Sequence, residues 1–221
     1  MTQFDLKTAG GRLRAYLDYL WRDHAYLRLS FRNAHWISDE VVRTNQPWPH
    51  QLAAWKAKGV RTVINLRGGF DASFHALEKD ACEKLGLTLV NFTITSRDAP
   101  SREQVLAAKD LFGSIEYPAL LHCKSGADRA SMMSALYMHF RGGKTIGEAM
   151  EQLSLRYLHL KNGRTGILDY TFEAYLSEGQ PKGLSFEDWV CSEAYDPSSL
   201  KAEHSARLRG LQVADTVLRR E

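Results

Sequence analysis

Cys123 and Arg129 stand six positions apart in the stretch Ala119-Leu120-Leu121-His122-Cys123-Lys124-Ser125-Gly126-Ala127-Asp128-Arg129-Ala130-Ser131. A thiol and a guanidinium at that spacing suit the closing of a short loop around an anion. The backbone N–H groups of such a loop can converge on a phosphoryl group, with the sulfur beneath it. Leu120 and Leu121 read as the end of a buried strand, Gly126 permits a sharp turn, and Ala130 to Phe140 carries helical spacing. The loop therefore falls where a strand hands over to a helix N-terminus, whose positive end favours a thiolate at Cys123, the nucleophilic form. Arg129 can hold two phosphoryl oxygens through its planar fork, which a lysine could not. In-line attack by the sulfur would leave a phosphoryl group on Cys123 for water to remove, with no metal or other cofactor required. Lys124, Ser125, Gly126, Ala127 and Asp128 are the expected anion-binding residues, with His122 and Ser131 in support. Cys82 and Cys191 are followed six residues later by Thr88 and Pro197 and lack the pattern.

An ester leaving group needs a proton, so a general acid is expected as well. The candidate is Asp98 in Thr95-Ser96-Arg97-Asp98-Ala99-Pro100, between an apolar run at 87–94 and a helix opening at Ser101 with a Ser101-x-x-Gln104 capping box. Aspartate before a proline is also ordinary turn chemistry. Asp71 and Glu103 are the reserve candidates, and Asp128 is expected to orient Lys124 or Arg129.

With His122, Cys123, Gly126 and Arg129 in place, the chain resembles the Cys-x5-Arg protein tyrosine phosphatase superfamily, in its bacterial dual-specificity-like branch. The loop matches the family pattern His-Cys-x-x-Gly-x-x-Arg, and Val41 to Pro47 followed by Lys58 to Arg67 resembles the family's opening strand, helix and second strand. The resemblance implies the roles of nucleophile for Cys123 and phosphate-binding arginine for Arg129. It also implies a substrate that is a phosphoprotein, phosphorylated on tyrosine or serine, or a lipid- or glycan-linked phosphate. Ala130 departs from the family, which has Ser or Thr there to steady the departing thiolate. Lys124 and Asp128 resemble members acting on phosphoinositides and other phospholipids. A phosphate-binding protein without turnover and a rhodanese-like sulfurtransferase are the two rival readings.

Strand-like and helix-like patterns alternate along the chain, which implies an α/β fold: a three-layer arrangement with a central, mostly parallel sheet flanked by helices and extra N- and C-terminal helices. Strands are expected near 35–37, 41–43, 62–66, 87–94 and 119–122, and helices at 49–58, up to 85, at 101–115, 128–141, 145–158, 165–177 and from about 196 to 218. Ligands of such sheets bind at the carboxyl ends of the strands, where Cys123, Asp98 and Arg67 emerge, so Arg67 joins the substrate-binding set. The expected divisions are an amphipathic N-terminal helix at 1–33, the phosphatase-like domain at 34–178, and a helical extension packed on it at 179–221.

Composition sets further bounds. The 221 residues are 44% hydrophobic with a net charge of +3, enough for a sizeable core and too balanced for a general polyanion trap. Three cysteines give no disulfide framework, and a thiolate enzyme needs a reducing compartment, so a cytoplasmic location is expected. The charged first thirty residues do not read as a secretory signal. Eight histidines include no metal-ligand cluster, and Trp48, Trp55 and Trp189 lack the basic surroundings of a nucleic-acid platform. Leu13, Tyr16, Leu17, Leu20, Trp21, His24, Leu27 and Phe31 form an apolar stripe over residues 12–32, with Arg14, Arg22, Arg28 and Arg32 beside or across from it. The stripe is expected either to pack on the core or to touch an anionic membrane face. Residues 159–166, basic and glycine-containing, are a candidate wall of the substrate cleft or a solvated turn.

Overall fold

The computed structural model of the chain describes residues 4–218, so the outermost ends of the two expected extensions, 1–3 and 219–221, lie outside it. The chain forms two compact units: residues 1–94 with 115–130, and residues 95–114 with 131–221.

The first unit holds the sheet. Its strands are β1 (His35–Trp36), β2 (Val41–Thr44), β3 (Thr62–Asn65), β4 (Thr88–Asn91) and β5 (Ala119–His122), in the order β1-β2-β5-β3-β4. Only β1 runs antiparallel to its neighbour, so the sheet is mostly parallel and flanked by helices. β2, β3 and β5 are buried at every position, as central parallel strands covered on both faces must be, whereas edge strand β4 is not. The core between strands and helices gathers Val42, Leu52, Trp55, Val63, Cys82 and Leu120. Register sets His122, the last residue of β5, opposite Thr44 of β2 and Asn65 of β3. The segments leaving those three strands are therefore neighbours at the carboxyl end of the sheet.

Helices α1 (Ala9–Trp21), α2 (Leu27–Ser30), α3 (Pro49–Ala57) and α4 (Ser73–Leu85) complete this unit. The single helix expected over 12–32 is broken. His24 takes a left-handed φ of 55°, and Asp23 beside it turns into the protein. The face of α1 that packs is only partly the expected one, since Tyr16 and Leu20 of the stripe lie half-buried against the core. Ala15 and Tyr19 are buried against Trp48 and Leu77, and Arg12 pairs with Asp80 of α4 at 2.9 Å. Leu13, Leu17, Trp21, Leu27 and Phe31 of the stripe stay exposed.

The second unit contains α5 (Arg102–Ser114), most of α6 (Asp128–Phe140), α7 (Ile146–Ala149), α8 (Ile167–Ala174), α9 (Phe186–Cys191) and α10 (Pro197–Leu218). The helix expected at 145–158 is short α7, opened by the Thr145/Glu148 capping box and followed by two single turns of 3-10 helix. The break comes at Leu153, whose ψ of 69° is not helical. Short α9, which the apolar periodicity does not reveal, supplies the centre of an aromatic core. Phe186 and Trp189 pack with Phe172, Tyr175 and Tyr195 at ring separations of 4.9–6.2 Å. Among the described residues no helix is long and apolar enough to cross a membrane.

The two faces of α1 separate in a stability measurement. Tyr19→Ala removes a buried ring whose centroid lies 4.6 Å from that of Trp48, tilted by 57°, and should cost about 3 kcal/mol in urea unfolding, whereas Trp21→Ala should stay within about 0.5 kcal/mol. Equal losses would mean that the stripe is core.

Candidate active site

The loop after β5 is shaped by what holds its carbonyl groups. Four successive ones bond away from the loop's concave side: Lys124 O accepts from the Gln46 N–H at 3.3 Å and Ser125 O from Asn33 Nδ2 at 3.1 Å, while Gly126 O and Ala127 O accept from Arg43 Nη2 at 2.9 and 3.1 Å. Peptide planarity then aims the corresponding N–H groups inward. One of them already donates to sulfur, Gly126 N lying 3.2 Å from Cys123 Sγ. Gly126 is required there on two grounds. Its φ is +74°, and a Cβ would sit 2.7 Å from the Asn45 nitrogen. Because α6 begins at Asp128, the loop ends on a helix N-terminus, the arrangement that binds phosphate.

Arg129, in the first turn of α6, reaches back so that its Nη1 lies 3.4 Å from Leu66 O at the end of β3. Cys123 is 2% exposed. Cys82 is also buried, but among apolar groups and near Glu78 and Glu83. That pushes its thiol up to about 12 and leaves it inert as a nucleophile. Cys191 is exposed and outside the loop.

The geometry is that of a phosphoryl-binding loop with a thiol at its centre, and comparison with known proteins points the same way. Residues 38–168, more than half of the chain, match the family described as DSP-PTPase phosphatase fused to NAD+ kinase. The chain belongs to this dual-specificity, protein tyrosine phosphatase family. No match among curated proteins reaches significance. Solved structures share the fold. P. aeruginosa TpbA in complex with phosphotyrosine is 17% identical, with 72% of this chain and 87% of that one covered, at a TM-score of 0.52. Tk-PTP in its active form is 22% identical over 64% and 96%, at 0.51. A DUF442 protein of Shewanella putrefaciens is 22% identical over 72% and 95%, at 0.52.

Several groups that frame the phosphatase loop carry no sequence motif. Asp23, buried at the break between α1 and α2, accepts from both terminal nitrogens of Arg67 at 2.6 and 3.0 Å, pairs with Arg28, and lies 3.3 Å from Lys124 Nζ. Arg67 continues to Gln46 Oε1 at 3.1 Å and stacks over Phe74 at 3.6 Å. Gln46 Nε2 donates to Glu78 Oε1 at 2.8 Å, and that oxygen lies 2.7 Å from His122 Nε2. A polar chain thus runs from Asp23 to the residue before Cys123.

One expected placement changes. The Arg67 guanidinium is 8% exposed and committed to Asp23 and Gln46, which makes it part of the frame rather than a group offered to substrate. Lys124 lies 3.3 Å from Asp23 and stays 42% exposed. Ser125 is exposed at the tip, Ala127 and Ser131 are buried, and Asp128 is half-buried.

Asp98 belongs to the second unit. The Lys201 ammonium pairs with its carboxylate and the Thr95 hydroxyl donates to it at 3.1 Å. Led by Lys201, these contacts hold the carboxyl below the usual aspartate range. Glu103 is lowered by the Ser101 hydroxyl, and Asp71 is an exposed turn residue. Among the described residues no cluster of His, Cys, Asp or Glu is arranged to hold a metal ion.

Burial alone would raise the Asp23 carboxyl, but the hydrogen bonds and charges of Arg67, Arg28 and Lys124 outweigh it and hold it low. A carboxylate lowered on folding contributes stability that is fully present above the ordinary value of 3.8 and lost as pH falls through the depressed one. Asp23→Asn leaves three cations facing a neutral amide and should cost about 3 kcal/mol at neutral pH. In urea unfolding the gap between wild type and variant should begin to close as pH falls below the ordinary aspartate value and should vanish below the depressed one. A gap that stays unchanged well below the ordinary value would remove the ion pairs from the account.

Proposed function

We propose that the protein is a metal-independent phosphomonoester hydrolase working through a cysteinyl-phosphate on Cys123. The observation that carries this reading is the Gly126 N–H on the Cys123 sulfur, in a loop whose carbonyls bond outward. Inward N–H groups stabilise negative charge on sulfur before attack and on the equatorial phosphoryl oxygens during it. The sulfur attacks phosphorus, the ester P–O bond breaks, and the leaving oxygen takes a proton from Asp98. Water then attacks the phosphorus of the thiophosphate, which releases inorganic phosphate and restores the thiolate. Arg129 bridges two oxygens in both steps. Lys124, Ser125, Gly126, Ala127 and Asp128 form the anion cup. His122 and Ser131 support it from behind, and Arg67 positions Lys124 through Asp23.

The substrate we propose is a phosphorylated protein or a lipid- or glycan-linked phosphate. Two features support it: phosphotyrosine sits in the TpbA complex, and Lys124, a cation of the loop itself, pairs with Asp23 yet stays 42% exposed. Exposed Leu13, Leu17 and Trp21, with Arg14 and Arg22 nearby, form the surface that would touch an anionic inner membrane face in the cytoplasm. Salt-sensitive binding to acidic vesicles tests that contact, and absence of binding at low salt would end it. Family membership supports hydrolysis over sulfur transfer or phosphate binding without turnover.

Cys123→Ser should abolish hydrolysis of an aryl phosphate while vanadate still binds, and Arg129→Lys should slow turnover about 100-fold, the loss of roughly 3 kcal/mol of transition-state stabilisation. Thiosulfate turnover in place of phosphate release would contradict the reading.

A second experiment isolates the acid. Asp98→Asn should slow alkyl phosphates far more than activated aryl phosphates, which leave without a proton. Because Lys201 lowers the Asp98 carboxyl and an acid must be protonated to act, activity falls as pH rises through that pKa. Lys201→Gln should therefore move the alkaline limb of the pH–rate profile upward, and Asp98→Asn should remove it. A limb that ignores both substitutions would assign the proton to another group.

A further inference from the structure

The second unit contains a cavity of about 460 Å³ that shares no residue with the phosphate loop. Arg97 enters from the loop before α5, Arg164 from the 3-10 turn before α8, and Lys201 and Arg209 from one face of α10. The α10 contributions recur at the three- and four-residue spacing of a single helix face, with Ser205 and Leu208 between the two cations. Ile167 and Leu208 supply an apolar wall.

Cations in and near this cavity differ in their pairing. Nearby Lys161 and Arg207 both pair with Glu173, and Lys109 pairs with Glu187. Inside the cavity only Lys201 has a carboxylate, that of Asp98, and among the described residues Arg97, Arg164 and Arg209 carry no ion-pair partner. Three guanidinium groups from three separate elements repel one another unless an anion lies between them, and a concave wall of low dielectric focuses their field. The turn that brings in Arg164 is close-packed: a Cβ on Gly166 would fall 1.9 Å from the Lys161 carbonyl oxygen and 3.2 Å from His204 Nε2. His204, buried below 10% exposure, is lowered by burial and then by Arg207, so it adds no positive charge at neutral pH.

We propose that this cavity is a second anion site, for a small soluble molecule carrying two or more phosphoryl groups. Planar guanidinium forks match phosphoryl oxygens pairwise, and three of them exceed what a single phosphoryl dianion would balance. The volume lies within the range of about 300–1,000 Å³ typical of small-molecule pockets, and Ile167 with Leu208 leaves room for an apolar part of the ligand. The inference does not depend on the Cys123 chemistry.

Inorganic triphosphate is the probe, used in calorimetry on the full chain bearing Cys123→Ser and Arg129→Ala so that the loop no longer competes. One molecule should bind, with affinity falling steeply as salt rises. Adding Arg164→Gln and Arg209→Gln should weaken it at least tenfold, and Arg164→Lys should weaken it less. In an otherwise unaltered chain, Arg164→Gln/Arg209→Gln should leave aryl phosphate hydrolysis within twofold. If the loop-disabled chain fails to fold, the same titration is made on the unaltered protein with its loop saturated by vanadate. No binding in either format, or an affinity indifferent to both arginines, overturns the site.

Discussion

Arg43 is fully buried on the central strand β2, and its guanidinium takes the carbonyl oxygens of Gly126 and Ala127, more than eighty residues away in sequence. Everything the phosphate loop can do follows from that contact. A loop closing between a strand and a helix has no ladder to satisfy its peptide groups, and buried polar groups left unpaired are costly. Drawing the carbonyls outward onto Arg43, Asn33 and the Gln46 N–H satisfies one half of each peptide and leaves the other half facing the concave side. The anion site is thus a consequence of where the carbonyls go, and Cys123 and Arg129 act in a field the frame has already set.

The same frame explains why the N-terminal segment belongs to the catalytic unit. Asp23 is the one carboxylate shared by Arg28, Arg67 and Lys124. Burying an acid among three cations is tolerable because each ion's desolvation is offset by the others. The left-handed turn at His24 is the conformational cost of delivering it. Through Arg67, Gln46 and Glu78 a run of polar contacts leads from that carboxylate to His122, a hundred positions away in sequence.

What the sequence discloses divides along this line. Cys123, Gly126 and Arg129 are legible because the loop is local, seven residues whose chemistry needs nothing distant to be recognised. The strands β2, β3 and β5 are legible as short apolar runs, and α5, α6 and α10 as long periodic ones. Asp23, Arg43, Gln46 and Glu78 are not, because each is defined by a partner 20 or more residues away that only strand register brings near. Periodicity also misleads where a polar contact outweighs it. The stripe over 12–32 runs past Asp23, yet the helix ends before that residue, which turns inward onto Arg28 and Arg67, and within α1 the packed face centres on Ala15 and Tyr19, so Leu13, Leu17 and Trp21 stay outside. Arg67 was recognisable as lying at a strand end, but whether it faced ligand or frame depended on the position of Asp23.

The central claim is that the phosphoryl group passes through sulfur. Rapid acid quenching during turnover of an aryl phosphate, followed by phosphorus NMR and peptide mapping, tests it most directly. The account predicts a thiophosphate ester on the peptide carrying Cys123, forming at the rate of aryl alcohol release and absent in Cys123→Ser. Release of inorganic phosphate with no covalent phosphorus on that peptide, or with phosphorus on another residue, would contradict it.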